Sequence, residues 1–308
     1  MEDRRFEAVD FAEVTTEHHQ LQDGRRLAYA RYGKRGGTPV YYFHGCPGSR
    51  YEALPSDEPA SAWGFEVFAF DRPGCGQSSH AEGYRILDWP RDVVDFADAR
   101  SHAQFGIIGL SGGGAYINSC ANAIPDRLLF AYDLAGWAPV GQIEELQTHL
   151  APLDRFLLRC ASSFQLLFQL FFSLVGFAAA RFSDDSFAKS LRSSMGDDDQ
   201  NLILGNKHMA HFFRALVKES FAQGSRGPSD DALRCYSNWG FDLGDIDYPV
   251  QLWHGTDDKF ASFELAKYKN RVMQHSSLTV FEGRGHLYFA TVHDKLFAEI
   301  RESLPSGN

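Results

Sequence analysis

The sequence predicts an α/β fold in which a mostly parallel sheet carries helices on both faces. Short apolar runs of the buried-strand type recur after residue 36, and helix-like segments lie between most of them. The runs are Val40 to Phe43, Phe65 to Phe70, Phe105 to Leu110, Leu128 to Leu134, Val250 to His254 and Leu278 to Phe281. This alternation is typical of parallel sheets, because right-handed crossover connections place helices against both faces.

The first predicted element is a β-hairpin at the edge of this sheet. Two strand-like runs flank Asp23 and Gly24, a pair that favours a tight turn because both residues tolerate positive φ. The clearest helices are predicted over Asp88 to Ala103, Gly112 to Ala123 and Thr291 to Leu304.

The alternation stops between about Val140 and Asp242, where helix patterns continue without a convincing strand. The chain has 308 residues, 44% of them apolar, which is enough for one large domain with an insertion. We therefore predict a core domain formed by residues 1–139 and 242–308 and a helical cap formed by residues 140–241.

Within the cap, the stretch from Cys160 to Ala180 carries no charge. A stripe of small and polar residues follows one helical face at spacings of 3, 4, 4 and 3: Ser162, Gln165, Gln169, Ser173 and Gly176. A membrane span here would also separate strands of one sheet. We expect no span, and we expect the Phe/Leu face to pack on the core or line a pocket. A homo-oligomer formed through the cap is left open.

The net charge limits the classes of ligand that the chain can bind, and the cysteine content limits the kinds of site it can form. A formal net charge of −10 argues against nucleic acid and anionic membrane surfaces, so a neutral or weakly polar small molecule fits better. The five cysteines are widely spaced without a CxxC pair, which predicts free thiols and no metal site. The charged N-terminus lacks the apolar segment of a secretory signal, so we expect a cytoplasmic protein.

The segment FGIIGLSGGGAYI, residues 105–117, contains the motif G-x-S-x-G around Ser111. A predicted strand precedes the motif and a predicted helix follows it, as a nucleophile elbow requires. The glycines are expected where side chains would collide with the neighbouring strand and helix.

A nucleophilic serine requires a histidine base and a carboxylate that orients it. His286 follows the last predicted strand in EGRGH, and Asp257 and Asp258 follow the preceding one in HGTDD. Asp133 ends an earlier strand and is the fallback acid. The backbone N–H groups of Cys46 and Gly112 are the candidates for an oxyanion hole; no cofactor is needed.

These motifs together resemble the α/β-hydrolase superfamily. They are HGCPGSR at 44–50, DRPGCGQSS at 71–79, GLSGGG at 109–114, DLAGWAP at 133–139, HGTDD at 254–258 and GRGH at 283–286. The resemblance implies an eight-stranded, mostly parallel sheet, a cap after the sixth strand and a triad of Ser111, Asp258 and His286. The HGxxD pattern selects Asp258 over Asp257, and a serine nucleophile argues against epoxide hydrolases and dehalogenases.

The expected activity is hydrolysis of a carboxylic ester, thioester or lactone through an acyl-enzyme. The same triad also serves carbon-carbon bond hydrolases, lyases, acyltransferases and cofactor-free haloperoxidases, and a ligand-binding receptor with little turnover is a further alternative. The HGxPG loop is similar to proline iminopeptidases, but DRPGCG departs from their usual DQRG.

Other polar residues are interpreted as structural. Asp71 is expected to fix a turn, and His44 and His254 to shape their loops through local bonds. The acidic run Asp197 to Asp199 is interpreted as a solvated loop rather than a site for a substrate amine.

Overall fold

The computed structural model describes residue 11 and residues 14–305 of the chain. Most of the N-terminal segment that bears on the secretory-signal prediction, and the extreme ends of the predicted core domain, lie outside the described residues.

The described residues form an eight-stranded sheet with helices on both faces, as the sequence predicts. Its strands are β1 (Glu17–Gln20), β2 (Arg26–Gly33), β3 (Thr38–Phe43), β4 (Phe65–Phe70), β5 (Phe105–Leu110), β6 (Leu128–Leu134), β7 (Gln251–Gly255) and β8 (Ser277–Phe281). The strand order is β1-β2-β4-β3-β5-β6-β7-β8. Strands β3 to β8 are parallel, and β1 and β2 pair antiparallel at one edge.

The edge hairpin forms at the predicted place with a longer connection than a two-residue turn. Gly24 has a φ of 85°, whereas Asp23 does not enter the left-handed region. The turn is closed by hydrogen bonds from Gly24 N to Leu21 O and from Leu21 N to Arg25 O, each 2.8 Å long. Only the glycine therefore uses the conformational freedom on which the prediction relied.

Successive residues of each central strand point to opposite faces of the sheet. Tyr41 and Phe43 belong to one buried cluster, and Val40 and Tyr42 belong to the other. The core helices are α1 (Asp57–Trp63), α2 (Trp89–Asp98), α3 (Gly113–Ala123), α11 (Phe263–Val272) and α12 (His293–Ser303). Both faces of the sheet are therefore apolar, which explains why its strands appear in the sequence as unbroken apolar runs.

Between β6 and β7 the chain forms helices only. They are α4 (Glu144–Gln147), α5 (Pro152–Ser163), α6 (Gln165–Arg181), α7 (Asp184–Ser190), α8 (Asp197–Leu204), α9 (Lys207–Ser220) and α10 (Arg226–Tyr236). This segment is the cap, and its boundaries at 139/140 and 241/242 stay a prediction.

The apolar face of α6 packs differently from the expectation. Phe168 and Phe172 are buried, but Leu166, Leu170 and Leu174 are exposed. Of the small-polar stripe, Ser173 and Gly176 are half-buried, and Ser173 Oγ lies 2.8 Å from Ser225 Oγ, whereas Ser162, Gln165 and Gln169 are exposed. The expectation that the whole Phe/Leu face packs inward is therefore wrong. No helix among the described residues is long and apolar enough to span a membrane.

Candidate active site

Ser111 lies between β5 and α3 in a strained backbone conformation. Its φ is 53°, a region that L-residues with side chains rarely adopt. The strain is held by hydrogen bonds from Ser111 N to Leu134 O (2.9 Å) and from Gly114 N and Trp137 N to Ser111 O (2.9 and 2.8 Å). This backbone is the sharp strand-to-helix turn that the motif predicts.

The glycines around the turn permit close approach of backbone segments. A Cβ atom on Gly109 would lie 2.6 Å from Ile117 Cγ1, and one on Gly113 would overlap the carbonyl of Phe43. Both distances are shorter than the contact distance of non-bonded heavy atoms. The interpretation of these glycines as clearance for the turn is confirmed.

His286 and Asp258 lie together at the same edge of the sheet, after β8 and β7. His286 Nδ1 donates a hydrogen bond of 2.7 Å to Asp258 Oδ2, and both side chains are buried. A carboxylate only accepts, so Nδ1 carries a proton, and in the neutral imidazole Nε2 therefore keeps its lone pair. In the described structure, no hydrogen bond joins Ser111 to His286. Such bonds are often loose before substrate binds.

Asp258 is fixed as an anion. Its Oδ1 accepts hydrogen bonds from Phe260 N (2.9 Å) and Ala261 N (2.8 Å). Burial acts to raise its pKa, but the charges and hydrogen bonds of His286 and His254 outweigh burial and lower the pKa well below its usual value. The same pairing raises the pKa of His286 above its ordinary value, although burial alone would lower it.

The two alternative acids lie elsewhere. Asp257 is 3.2 Å from Lys259 Nζ and partly exposed. Asp133 forms a buried ion pair with Lys269, whose Nζ lies 2.7 Å from Asp133 Oδ2. Of the three acids considered, the structure therefore brings Asp258 alone to His286.

The Cys46 loop faces the turn at Ser111. A Cβ atom on Gly112 would lie 2.8 Å from Cys46 Cβ and 3.4 Å from Cys46 N, and one on Gly45 would lie 3.4 Å from Ser111 Cβ. Within the described part of the chain, neither Cys46 N nor Gly112 N donates a hydrogen bond. Both are free to bind a substrate oxygen. Burial raises the pKa of the Cys46 thiol, which disfavours the nucleophilic thiolate.

A buried cation holds the Cys46 loop from behind. Arg72 donates to the carbonyls of His44 and Gly45, and its Nη2 lies 2.6 Å from Asp231 Oδ2 on α10. Tyr116 donates to the same carboxylate over 2.7 Å. The cap thus orients this loop through an ion pair that is fully buried. Arg72 lies in the DRPGCGQSS motif, but the sequence analysis assigned it no role, and no motif contains Asp231.

Glu52 is a further buried acid beside this loop. Its Oε1 accepts hydrogen bonds from Gly45 N (2.7 Å) and Tyr42 Oη (3.2 Å). Burial raises the pKa of Glu52 to about 7, against the lowering effects of these donors and of Arg72. Glu52 therefore titrates near neutral pH while fixing the orientation of Gly45.

The acidic run of the cap is not a solvated loop. Asp199 is fully buried and accepts hydrogen bonds from His286 N (3.0 Å) and Leu287 N (2.7 Å). Asp198 accepts from Gly285 N (2.9 Å) and Arg284 Nε (3.1 Å). Burial raises the pKa of Asp199 to about 6. The solvated-loop interpretation is wrong for these two residues, because they bind the backbone of the histidine loop.

Aromatic residues adjoin the site on the cap side. The ring centroid of Tyr236 lies 5.3 Å from that of Trp137 and 5.8 Å from that of Phe168. The backbone N–H of Trp137 donates a hydrogen bond to Ser111 O. Tyr236 donates a hydrogen bond of 2.6 Å to Asp154, whose pKa burial raises to about 6. A cavity of about 590 Å³ beside α5 also borders Tyr236, but Ser111 and His286 do not line it.

The residues interpreted as structural form local bonds. Asp71 accepts from Arg50 N (2.7 Å) and Gln77 N (2.9 Å), which fixes the turn after β4. His44 Nδ1 lies 2.6 Å from Gly45 O, and His254 Nε2 lies 2.7 Å from Ala261 O. The interpretation is confirmed for Asp71, but the two histidines are not bonded only locally, since His44 Nε2 accepts from Arg72 N (3.2 Å) and His254 Nε2 lies 3.3 Å from Asp258 Oδ2.

Comparisons with known proteins agree with this architecture. The sequence profile of the "Alpha/beta hydrolase family" matches residues 40–300. A non-heme chloroperoxidase of Streptomyces lividans is 26% identical over 282 residues, covering 87% of this chain and 92% of that protein.

Solved structures extend the agreement at low sequence identity. An esterase from Exiguobacterium antarcticum has a TM-score of 0.70 and 17% identity, with 94% of this chain and 98% of that one covered. The enol-lactonase from Burkholderia xenovorans LB400 has a TM-score of 0.62 and 16% identity, with 93% and 98% covered. At such identities the likeness establishes the fold, and the profile match establishes the family. The chain therefore belongs to the alpha/beta hydrolase family.

Proposed function

We propose that this hydrolase cleaves a carboxylic ester, thioester or lactone through an acyl-enzyme on Ser111. The observation that carries the proposal is the 2.7 Å bond from His286 Nδ1 to buried Asp258. That bond leaves Nε2 as a proton acceptor, which is the property that a serine nucleophile requires of its base.

In the proposed reaction, His286 Nε2 takes the Ser111 proton while Oγ attacks the carbonyl carbon. The N–H groups of Cys46 and Gly112 stabilise the oxyanion, and Asp258 stabilises the imidazolium. Collapse of the tetrahedral intermediate breaks the bond to the leaving alcohol or thiol, which receives the proton from His286. Water, deprotonated by His286, then releases the acid and regenerates Ser111.

The substrate is proposed to carry an apolar acyl group. Trp137, Tyr236 and Phe168 form an aromatic cluster that adjoins the Ser111 backbone. Pockets for small organic ligands are lined mainly by such side chains, with a few polar groups that fix orientation. The structural neighbours named as an esterase and an enol-lactonase act on substrates of the same bond class.

The similarity to the non-heme chloroperoxidase of Streptomyces lividans favours a second candidate, halide oxidation by peroxide at the same residues. We expect purified protein to hydrolyse p-nitrophenyl esters and to be labelled at Ser111 by a fluorophosphonate, as found by peptide mass spectrometry. Halogenation of monochlorodimedone with chloride and hydrogen peroxide serves as the parallel assay. Halogenation without ester turnover would favour the second candidate, and ligand binding without labelling would favour a receptor.

Asp199 is proposed to position His286 from the cap. The change Asp199→Asn leaves one acceptor for two backbone N–H groups, so the histidine loop shifts and kcat falls roughly 10- to 100-fold with little change in KM. Because the Asp199 charge contributes to the raised pKa of His286, the acid limb of the kcat/KM profile should also move to lower pH.

Asp197→Asn is the matched control, since Asp197 lies in the same first turn of α8 but is exposed. It removes the same charge from the same helix end without touching His286. Equal kinetics and pH profiles for the two variants would mean that Asp199 acts only on the stability of the helix.

A further inference from the structure

The outer side of α5 and α6 forms one exposed apolar surface, called here the α5–α6 surface. Its large side chains are Leu153, Phe156, Phe164, Leu166, Leu167, Leu170, Leu174, Phe177 and Phe182, each between 39% and 82% exposed. Among the described residues, the other large apolar side chains exposed to this degree are Trp63 and Val280. Exposure of large apolar groups is therefore concentrated in the cap.

The arrangement follows the helix geometry. Leu166, Leu170, Leu174 and Phe177 recur at spacings of four, four and three, which places them on one face of α6. At about half exposure, with ~200 Å² for each of the four phenylalanines and ~100 Å² for each of the five leucines, the surface presents on the order of 700 Å² of apolar area. The largest patch on a typical monomer is about 300–600 Å², so this surface exceeds what solvent exposure alone explains.

The segment that forms this surface is cationic although the whole chain carries a net charge of −10: residues 155–183 contain Arg155, Arg159 and Arg181 and no Asp or Glu. The acids beside the segment are partnered, since Asp154 accepts from Tyr236, Asp184 pairs with Arg214 and Asp185 pairs with Lys189. Exposed Glu144 borders the same cavity as Arg155 and Arg159, which still leaves an excess of positive charge. All three arginines are exposed. In the part of the chain that the structure describes, their side chains form no ion pair or hydrogen bond.

We infer that the α5–α6 surface binds peripherally to an anionic lipid surface, with α6 lying in the plane of the interface. An apolar helix face flanked by arginines suits this position, because the apolar side chains enter the acyl boundary while the guanidinium groups contact anionic headgroups. Binding of this kind requires no membrane span and goes beyond the proposed hydrolysis.

The net charge of −10 repels the protein from an anionic membrane at long range, as the composition predicts. It does not determine the interaction once the two surfaces are in contact. At physiological ionic strength charges are screened beyond about 8 Å, so the arginines beside the patch dominate once it touches a membrane. A second copy is a poorer occupant. Residues 155–183 supply no carboxylate to pair with the arginines of a second copy, whereas an anionic lipid surface supplies charged headgroups.

Co-sedimentation with vesicles tests the inference. We expect the full chain to bind vesicles of phosphatidylcholine and phosphatidylglycerol, more weakly at high salt, and to bind pure phosphatidylcholine less. Replacing Arg155, Arg159 or Arg181 with Gln should weaken partitioning about five-fold per arginine. The double variant Leu170→Glu/Leu174→Glu should lose binding.

Trp63→Glu is the matched control, since Trp63 is an exposed apolar residue outside the cap. It should bind vesicles as the unaltered chain does. Thermal melting and turnover of a soluble ester should be unchanged in all variants, which separates loss of docking from misfolding and from failure of the proposed chemistry. Absence of vesicle binding, or equal binding by the Leu170/Leu174 variant, overturns the inference. The inference is also overturned if the chain does not bind vesicles but forms a concentration-dependent dimer in sedimentation velocity, and if the Leu170/Leu174 variant abolishes that dimer.

Discussion

Replacing Ser111 with alanine is expected to lower kcat for an activated ester roughly 10⁵- to 10⁶-fold. The reason is that the acyl-enzyme can no longer form and the remaining groups only polarise the carbonyl. Residual turnover above the buffer rate should persist, because the N–H groups of Cys46 and Gly112 are backbone groups and stay in place. Steady-state and burst-phase kinetics with a p-nitrophenyl ester measure both quantities.

The fold should survive this change. Ser111 N and O make their hydrogen bonds through the backbone, which alanine retains, and serine already bears the cost of a φ of 53°. Melting temperature and far-UV circular dichroism should therefore match those of the unaltered chain. A substrate ester should still bind to the variant, and fluorophosphonate labelling should disappear.

Ser101→Ala provides a matched control. Ser101 also has a positive φ, 57°, but lies in the exposed turn after α2. Its replacement should leave kcat and labelling unchanged. If Ser111→Ala kept near wild-type turnover, Ser111 would not be the nucleophile, and another group would have to form the covalent intermediate.

The sheet was predictable because its strands are buried on both faces. Each of the six apolar runs is a strand, and their ends agree with the structure to within two residues. Helix ends were less predictable. The helix predicted to Ala103 ends at Asp98, since the chain turns through Ser101 in a conformation that the apolar pattern does not specify.

The positions of Ser111, His286 and Asp258 were predictable for a topological reason. Their strands are parallel, so residues that follow each strand meet at one edge of the sheet whatever their separation in sequence. Glycine and the motif spacing then indicate which residues turn toward that edge.

The contributions of the cap to the site were not predictable in this way. Asp198 and Asp199 belong to a run of three adjacent acids, and only tertiary contact distinguishes these two, which bind the histidine loop, from exposed Asp197. The same holds for α6, where an uncharged segment contains both a buried and an exposed apolar face. Periodicity separates the two faces but does not say which one meets the protein.

The second large effect is expected for Asp258→Asn, which should reduce kcat/KM roughly 10⁴-fold. The asparagine amide no longer stabilises the imidazolium, and it can present a donor to Nδ1 and so favour the wrong tautomer. The raised pKa of His286 depends on the Asp258 charge. In the unaltered enzyme, activity should fall as the pH drops through a pKa above the ordinary 6.5.

In Asp258→Asn that acid limb should move to lower pH, because burial of the imidazole then acts without an opposing anion and favours its neutral form. Asp257→Asn changes the adjacent residue in the same loop, where the carboxylate faces Lys259 instead of His286. It should keep both the rate and the position of the acid limb. A pH-rate series on the three proteins decides the assignment. If Asp257→Asn lost activity and Asp258→Asn did not, the orienting acid would be Asp257, and the 2.7 Å bond between His286 and Asp258 would be structural alone.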